Sequence, residues 1–202
     1  MNREQWNERY AADELIWTAT PNRFLVEQVA DFPVGAALDV ACGEGRNAVW
    51  LATQGWKTTG LDFSAVGLKK ANDLARANDV DVDFIEADVL TWEPPPRQFD
   101  LIVLAYVQLP ALERCKIHQQ LVEGLAFGGT LLVIAHATDN LLNGYGGPQD
   151  PQYLFSSDDV VNDLADCGMI IDLATEMNRP VETDGGRRIA IDVVVRARRP
   201  LL

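Results

Sequence analysis

Apolar runs of strand length and segments of helical period take turns along most of the chain. Short apolar runs fall at 36–41, 57–61, 82–86, 99–105 and 130–135. Glycine, proline or polar clusters bound them, as they bound strands. Between them, Leu68, Ala71, Leu74 and Ala75 share one helical face, and Ile117, Leu121 and Leu125 share another. The run at 99–105 is nearly continuous, as expected of a parallel strand buried on both faces. Pro110 suits the start of the helix that follows it, and Gly128 with Gly129 is expected to stop that helix, leaving His118 on its solvated side. Ser156 and Ser157 are expected to cap another helix, with Val160, Val161 and Leu164 inward and Gly168 at its close. Two last strands, 169–176 and 188–196, flank a hairpin turn at Asp184–Gly186. Strands and helices alternating in this way predict a single α/β domain over 1–202.

Two segments depart from the alternation. Residues 1–35 hold Trp6, Tyr10, Trp17 and Phe24 and, after Pro21 and Asn22, a helical pattern; they are expected to form an N-terminal helical cap. Residues 137–155 have little period and much glycine, asparagine and proline. A loop of that length inside a compact domain is usually a lid or a binding loop.

The first strand runs into DVACGEGRN, Asp39 to Asn47, and a helix leaves it. Gly43 and Gly45 let the backbone turn tightly and approach a ligand closely. Free N–H groups at the helix start suit a negative group. Dinucleotides use such a turn under a pyrophosphate, and S-adenosylmethionine uses one for its amino-acid end. Asp39 separates the two. A carboxylate inside an apolar strand is costly without a donor or cation; it repels a pyrophosphate, whereas an ammonium gives it a partner. Ala48 also stands where the dinucleotide pattern has its third glycine, a variant that pattern tolerates. Asp62 closes the second strand about twenty residues on, where folds of this kind set an acid against ribose hydroxyls; Phe63 is placed to pack on adenine, and Ser64 is an alternative helix cap.

DVACGEGRN followed by AVWLA resembles the first motif of class I S-adenosylmethionine-dependent methyltransferases, and is similar to their tellurite-resistance and thiopurine branch. The resemblance implies a three-layer Rossmann-like sandwich whose mostly parallel seven-stranded sheet has the order 3-2-1-4-5-7-6 with one antiparallel strand. It implies S-adenosyl-L-methionine as cofactor and a small-molecule methyl acceptor, with residues 137–155 as the lid on the acceptor side. The cofactor-binding set is then Asp39, Ala41, Gly43, Gly45, Arg46, Asn47, Asp62, Phe63, Ser64, Asp88, Val89, Ala105 and Tyr106. Asp88 and Val89 match the positions that meet the adenine amino group and a ring nitrogen. Tyr106 and His136 follow the fourth and fifth strands, where catalytic groups of open α/β sheets collect. His136 is the expected general base and Tyr106 the group that orients the acceptor. Gly45→Val is expected to abolish cofactor binding while leaving the fold intact.

Charge narrows the partners. The formal net charge is −13, which disfavours nucleic acid and anionic membrane surfaces. No apolar run approaches a membrane span, and MNREQWNERY has no signal core, so a cytoplasmic monomer or homodimer is expected. Cys42, Cys115 and Cys167 are odd in number and show no metal spacing; neither a disulfide framework nor a metal site is expected. A nicotinamide-dependent oxidoreductase fits the alternation but leaves Asp39 unexplained. A regulator that binds the cofactor without turnover is the other alternative.

Overall fold

The structure, a computed structural model, describes residues 1–201. Seven strands form one sheet: β1 (Ala36–Val40), β2 (Lys57–Asp62), β3 (Asp83–Glu86), β4 (Phe99–Ala105), β5 (Leu125–His136), β6 (Ile170–Val181) and β7 (Arg188–Arg198). Their order is β3-β2-β1-β4-β5-β7-β6, as the resemblance implies. The first five are parallel, and β7 runs antiparallel to both β5 and β6. The crevice between β1 and β4 is the point where the strand order reverses, the place where open α/β sheets bind ligands.

Alternate side chains of each strand serve opposite layers. On one face Leu38, Val40, Ile102 and Leu104 pack with Ile117 and Leu121 of α5 (Ala111–Gly124) and Val160 of α7 (Ser157–Asp163). On the other, Ala37, Leu101 and Val103 pack with Phe24, Leu25 and Val29 of α2 (Arg23–Val29) and Leu51 of α3 (Arg46–Thr53). The next helix, α4 (Ala65–Ala77), sets Leu68 against Ala48 of α3. Helix α1 (Arg3–Tyr10) lies against α4, and a single turn, α6 (Asn140–Asn143), interrupts the 137–155 segment. No helix among the described residues is long and apolar enough to cross a membrane.

Three local expectations are corrected. Helix α5 stops at Gly124, not at Gly128–Gly129, and Leu125 already pairs with Phe99 in the sheet. A Cβ on Gly124 would lie 2.7 Å from the Pro94 ring, so the proline stretch packs where only glycine fits; Gly128, at φ 79°, then sits in the irregular start of β5. His118 is buried rather than solvated, with Nδ1 2.9 Å from Asp163 Oδ2. Arg114 Nε donates to the same oxygen at 2.7 Å, so one carboxylate from α7 satisfies two buried groups of α5. The last two strands also outrun their expected ends, and β6 carries Arg179 into the sheet. Cys42, Cys115 and Cys167 are free.

Candidate active site

Strand β1 is followed by a left-handed residue, Ala41 at φ 53°, and its neighbour β4 by another, Tyr106 at φ 63°. Non-glycine residues rarely adopt this conformation, and such strain collects at functional sites. Both lie at the carboxyl ends of adjacent strands, on the two lips of the crevice. Beneath the first lip, Asp39 is buried and accepts one hydrogen bond, from Ala48 N at 3.1 Å. Burial pushes its pKa from the ordinary 3.8 up to about 7, against the pull of Ala48 N–H and Arg46. Arg46 opens α3, where a cation meets the positive helix end. Burial lowers its pKa, while Tyr106 and Asp39 raise it.

Gly43 and Gly45 do different work. Gly45, at φ 84°, caps α3; a Cβ there would lie 2.7 Å from Ala71 Cβ and 3.0 Å from its Cα. Its space belongs to helix α4, so the expectation that Gly45→Val spares the fold is corrected. Gly43, at φ 55°, instead faces Tyr10, whose hydroxyl oxygen would stand 2.6 Å from a Cβ. Gly43 N donates to Asp62 Oδ2 and Ser64 N to Asp62 Oδ1, both at 2.8 Å. A carboxylate offers about four acceptor positions, so capacity for hydroxyl donors remains on both oxygens. Burial raises the Asp62 pKa, offset in part by these N–H groups.

Several residues of the expected set are engaged locally. Ser64 caps α4 through Gly67 N at 3.0 Å and donates to Asn7 Oδ1 at 2.6 Å. Asn47 accepts from Asn22 N at 2.9 Å and so ties α2 to α3. Asp88 accepts from Leu90 N at 3.0 Å in a tight turn. Phe63, Val89 and Ala105 are half-buried at the carboxyl ends of β2, β3 and β4. Tyr106 and His136 do meet, with ring centroids 4.9 Å apart.

Glu44, Asp192 and Arg179 are prominent here and absent from the expected set. The buried Glu44 carboxylate accepts from Ile16 N at 3.2 Å, Trp17 N at 3.1 Å and Lys70 Nζ at 3.1 Å. It thereby fastens the N-terminal segment onto the glycine turn, with Tyr10 beneath and Arg9 between the Trp6 and Trp17 rings. Glu44→Ala should loosen that segment: limited proteolysis should cut within residues 11–20 at least about tenfold faster. Hydrogen bonds to a charged group contribute about 1.5–3 kcal/mol each, and about 1.4 kcal/mol is a factor of ten. Unchanged cleavage would mean the segment is held by other contacts. Asp192 showed the same signal as Asp39, a lone acid in an apolar strand (IAIDVVV). Arg179 lay beyond the expected end of its strand.

The fold, the strained lips and the acids at the strand ends define a Rossmann-like domain with a crevice at the carboxyl ends of β1 and β4. Residues 37–129 match the family model described as a methyltransferase domain. The chain is 34% identical over 124 residues to a trans-aconitate 2-methyltransferase of Rhizobium meliloti (strain 1021), covering 60% of this chain and 45% of the relative. The chain thus spans about half the length of that relative. Among solved structures, one described as "Conversion of a Disulfide Bond into a Thioacetal Group during Echinomycin Biosynthesis" superposes with TM-score 0.76 at 21% identity, covering 98% of this chain and 92% of the other. The N-methyltransferase NodS from Bradyrhizobium japonicum WM9, solved with S-adenosyl-L-homocysteine, gives 0.73 at 17% identity over 98% of each chain. Residues 37–129 are thus similar to a methyltransferase domain, and the likeness to these solved structures shows a shared Rossmann-like fold. These likenesses do not single out the tellurite-resistance and thiopurine branch.

Proposed function

We propose that the protein transfers the methyl group of S-adenosylmethionine to a small-molecule acceptor by in-line displacement. The observation that carries this reading is Asp39: a buried carboxylate at the foot of the glycine turn, holding one backbone hydrogen bond and a pKa of about 7. A ligand ammonium gives that group the cation it lacks. Arg46 at the start of α3 then takes the ligand carboxylate, which also relieves a cation at a positive helix end. Asp62 accepts from the ribose hydroxyls, Asp88 and Val89 meet the adenine with Phe63 packed on it, and Ala105 and Tyr106 border the reacting end.

When bound, the cofactor supplies an activated sulfonium methyl. The protein supplies alignment, which can be worth about 7–11 kcal/mol of a barrier. Residues 1–35 act as a cap over the cofactor, and 137–155 as a lid on the acceptor side. A small acceptor agrees with the name of the trans-aconitate relative. The test is production of S-adenosylhomocysteine from S-adenosylmethionine across thiols, phenols, amines, carboxylates, halides and chalcogen oxyanions. Turnover above background with one class supports the reading; none with any class, despite cofactor binding, favours a binding protein without turnover.

A further inference from the structure

We propose that Asp192 and Arg179 are positioning residues for His136 as general base, and that the acceptor is a protonated nucleophile such as a thiol, phenol or amine. This rests on the methyl-transfer reading and adds two residues and an acceptor class to it. Asp192 is fully buried in β7 between Ile191 and Val193, in register with His136 of β5. Burying a carboxylate costs several kcal/mol unless donors surround it. Here Tyr106 and Arg179 donate, and the His136 ring faces the carboxylate from a third strand end. The Tyr106 hydroxyl donates to Oδ2 at 2.9 Å, Arg179 Nε donates to Oδ2 at 2.6 Å and its Nη2 to Oδ1 at 3.5 Å, and His136 Nδ1 lies 3.2 Å from Oδ1. Packing alone is met at such a site by a valine. A carboxylate whose second oxygen faces an imidazole at the crevice matches the needs of a base.

The charges are consistent with that role. Burial raises the Asp192 pKa, but His136 and Arg179 more than offset it and hold the carboxyl below its usual range. Asp192 therefore stays anionic and stabilises an imidazolium without taking the proton. Burial and Asp192 push the Tyr106 phenol up, so it remains a donor. Arg179 also lies over the Tyr106 ring, 5.6 Å from its centroid, and Arg46 is felt at Tyr106 from α3. From the 137–155 segment the ring meets Gly147, which brings no charge; a Cβ there would lie 2.8 Å from His136 Cγ. At this geometry Nδ1 makes no hydrogen bond, although Oδ1 lies 3.2 Å away; catalytic hydrogen bonds are often long or poorly aligned before substrate binds and tighten afterwards. With Nδ1–H turned to Asp192, Nε2 is left to work. The acceptor X–H gives its proton to Nε2, and the freed electron pair takes the methyl group from the sulfonium, whose sulfur keeps the C–S pair. The imidazolium then passes the proton to water.

Two readouts test this on the full chain. Nitrogen-15 NMR of the imidazoles, assigned with His136→Asn, should show the neutral His136 protonated on Nδ1. Asp192→Asn should move that proton toward Nε2, the tautomer error known from other acid–histidine pairs. In the second readout, Asp192→Asn should lower kcat with 2-mercaptoethanol or phenol by about 10²-fold or more. Turnover with iodide or trans-aconitate, which need no base, should fall much less. Arg179→Met replaces Asp192→Asn if the latter fails to fold, with the same direction of effect. Protonation on Nε2 in the wild type, turnover confined to the anions, or equal loss with both acceptor classes overturns the proposal. The tautomer decides it where no probe turns over. Failure of the wild type to bind S-adenosylhomocysteine strikes instead at the methyl-transfer reading.

Discussion

Gly45→Val should strongly destabilise the protein, not merely empty its crevice. Valine at φ 84° is strained by about 1–3 kcal/mol. Its Cβ also meets Ala71 Cβ at 2.7 Å and Ala71 Cα at 3.0 Å. Backbone cannot swing aside as a side-chain tip can, and overpacking of this kind costs roughly a further 1–3 kcal/mol. Together these come to about 2–6 kcal/mol, which reaches the lower end of the total stability of a typical domain, about 5–15 kcal/mol. Chemical denaturation should show a midpoint sharply lowered or no folded baseline. Gly43→Ala makes the contrast: it too is strained at φ 55°, but its Cβ meets the tip of Tyr10, which can move, so the fold should survive, somewhat less stable, with weakened cofactor binding. A well-folded Gly45→Val protein that has lost only cofactor affinity would return the glycine to the ligand and contradict this assignment.

Cofactor affinity should climb steeply with pH up to about 7. The folded Asp39 pKa, about 7, lies above its ordinary 3.8, so the free protein holds a proton there that the unfolded chain gives up. That proton's contribution to stability is complete below about pH 4 and is lost as pH rises to about 7. The loss is on the order of 4 kcal/mol at about 1.4 kcal/mol per pKa unit. An ammonium ligand needs the ionised carboxylate, so below about pH 7 binding must first expel the proton. Affinity for S-adenosylhomocysteine should then fall by about tenfold per pH unit between about 7 and 5. Asp39→Asn imitates the protonated state. It should stabilise the free protein at pH 8, weaken binding there by about 10²-fold or more, and flatten the pH dependence. Calorimetry at pH 5, 6, 7 and 8 on both proteins reads all of this; equal slopes for the two would remove Asp39 from the site.

Strand and helix order was legible because each buried parallel strand leaves an apolar run and each helix leaves a stripe. The reading failed where one residue type serves two ends. Gly128–Gly129 looked like a helix stop, but α5 ends at Gly124, where Pro94 packs against the glycine. His118 lay on a polar stripe, yet Asp163 reaches it from α7, and no local period reports a partner 45 residues away. The glycine turn and the acids at the strand ends were visible because motif and fold geometry coincide there. Glu44 was hidden in plain sight within the motif, since its partners are backbone N–H groups of Ile16 and Trp17. Asp192 carried a readable signal, an acid in an apolar strand, whose meaning depends on β5 and β6 lying beside it.

The most direct measurement is a calorimetric titration of the full chain with S-adenosylhomocysteine and, separately, with NAD, at pH 6 in buffers of different ionisation enthalpy. S-adenosylhomocysteine should bind stoichiometrically and release close to one proton, the one Asp39 gives up, while NAD gives no heat of binding. Tight NAD binding with no response to S-adenosylhomocysteine would contradict the account at its root.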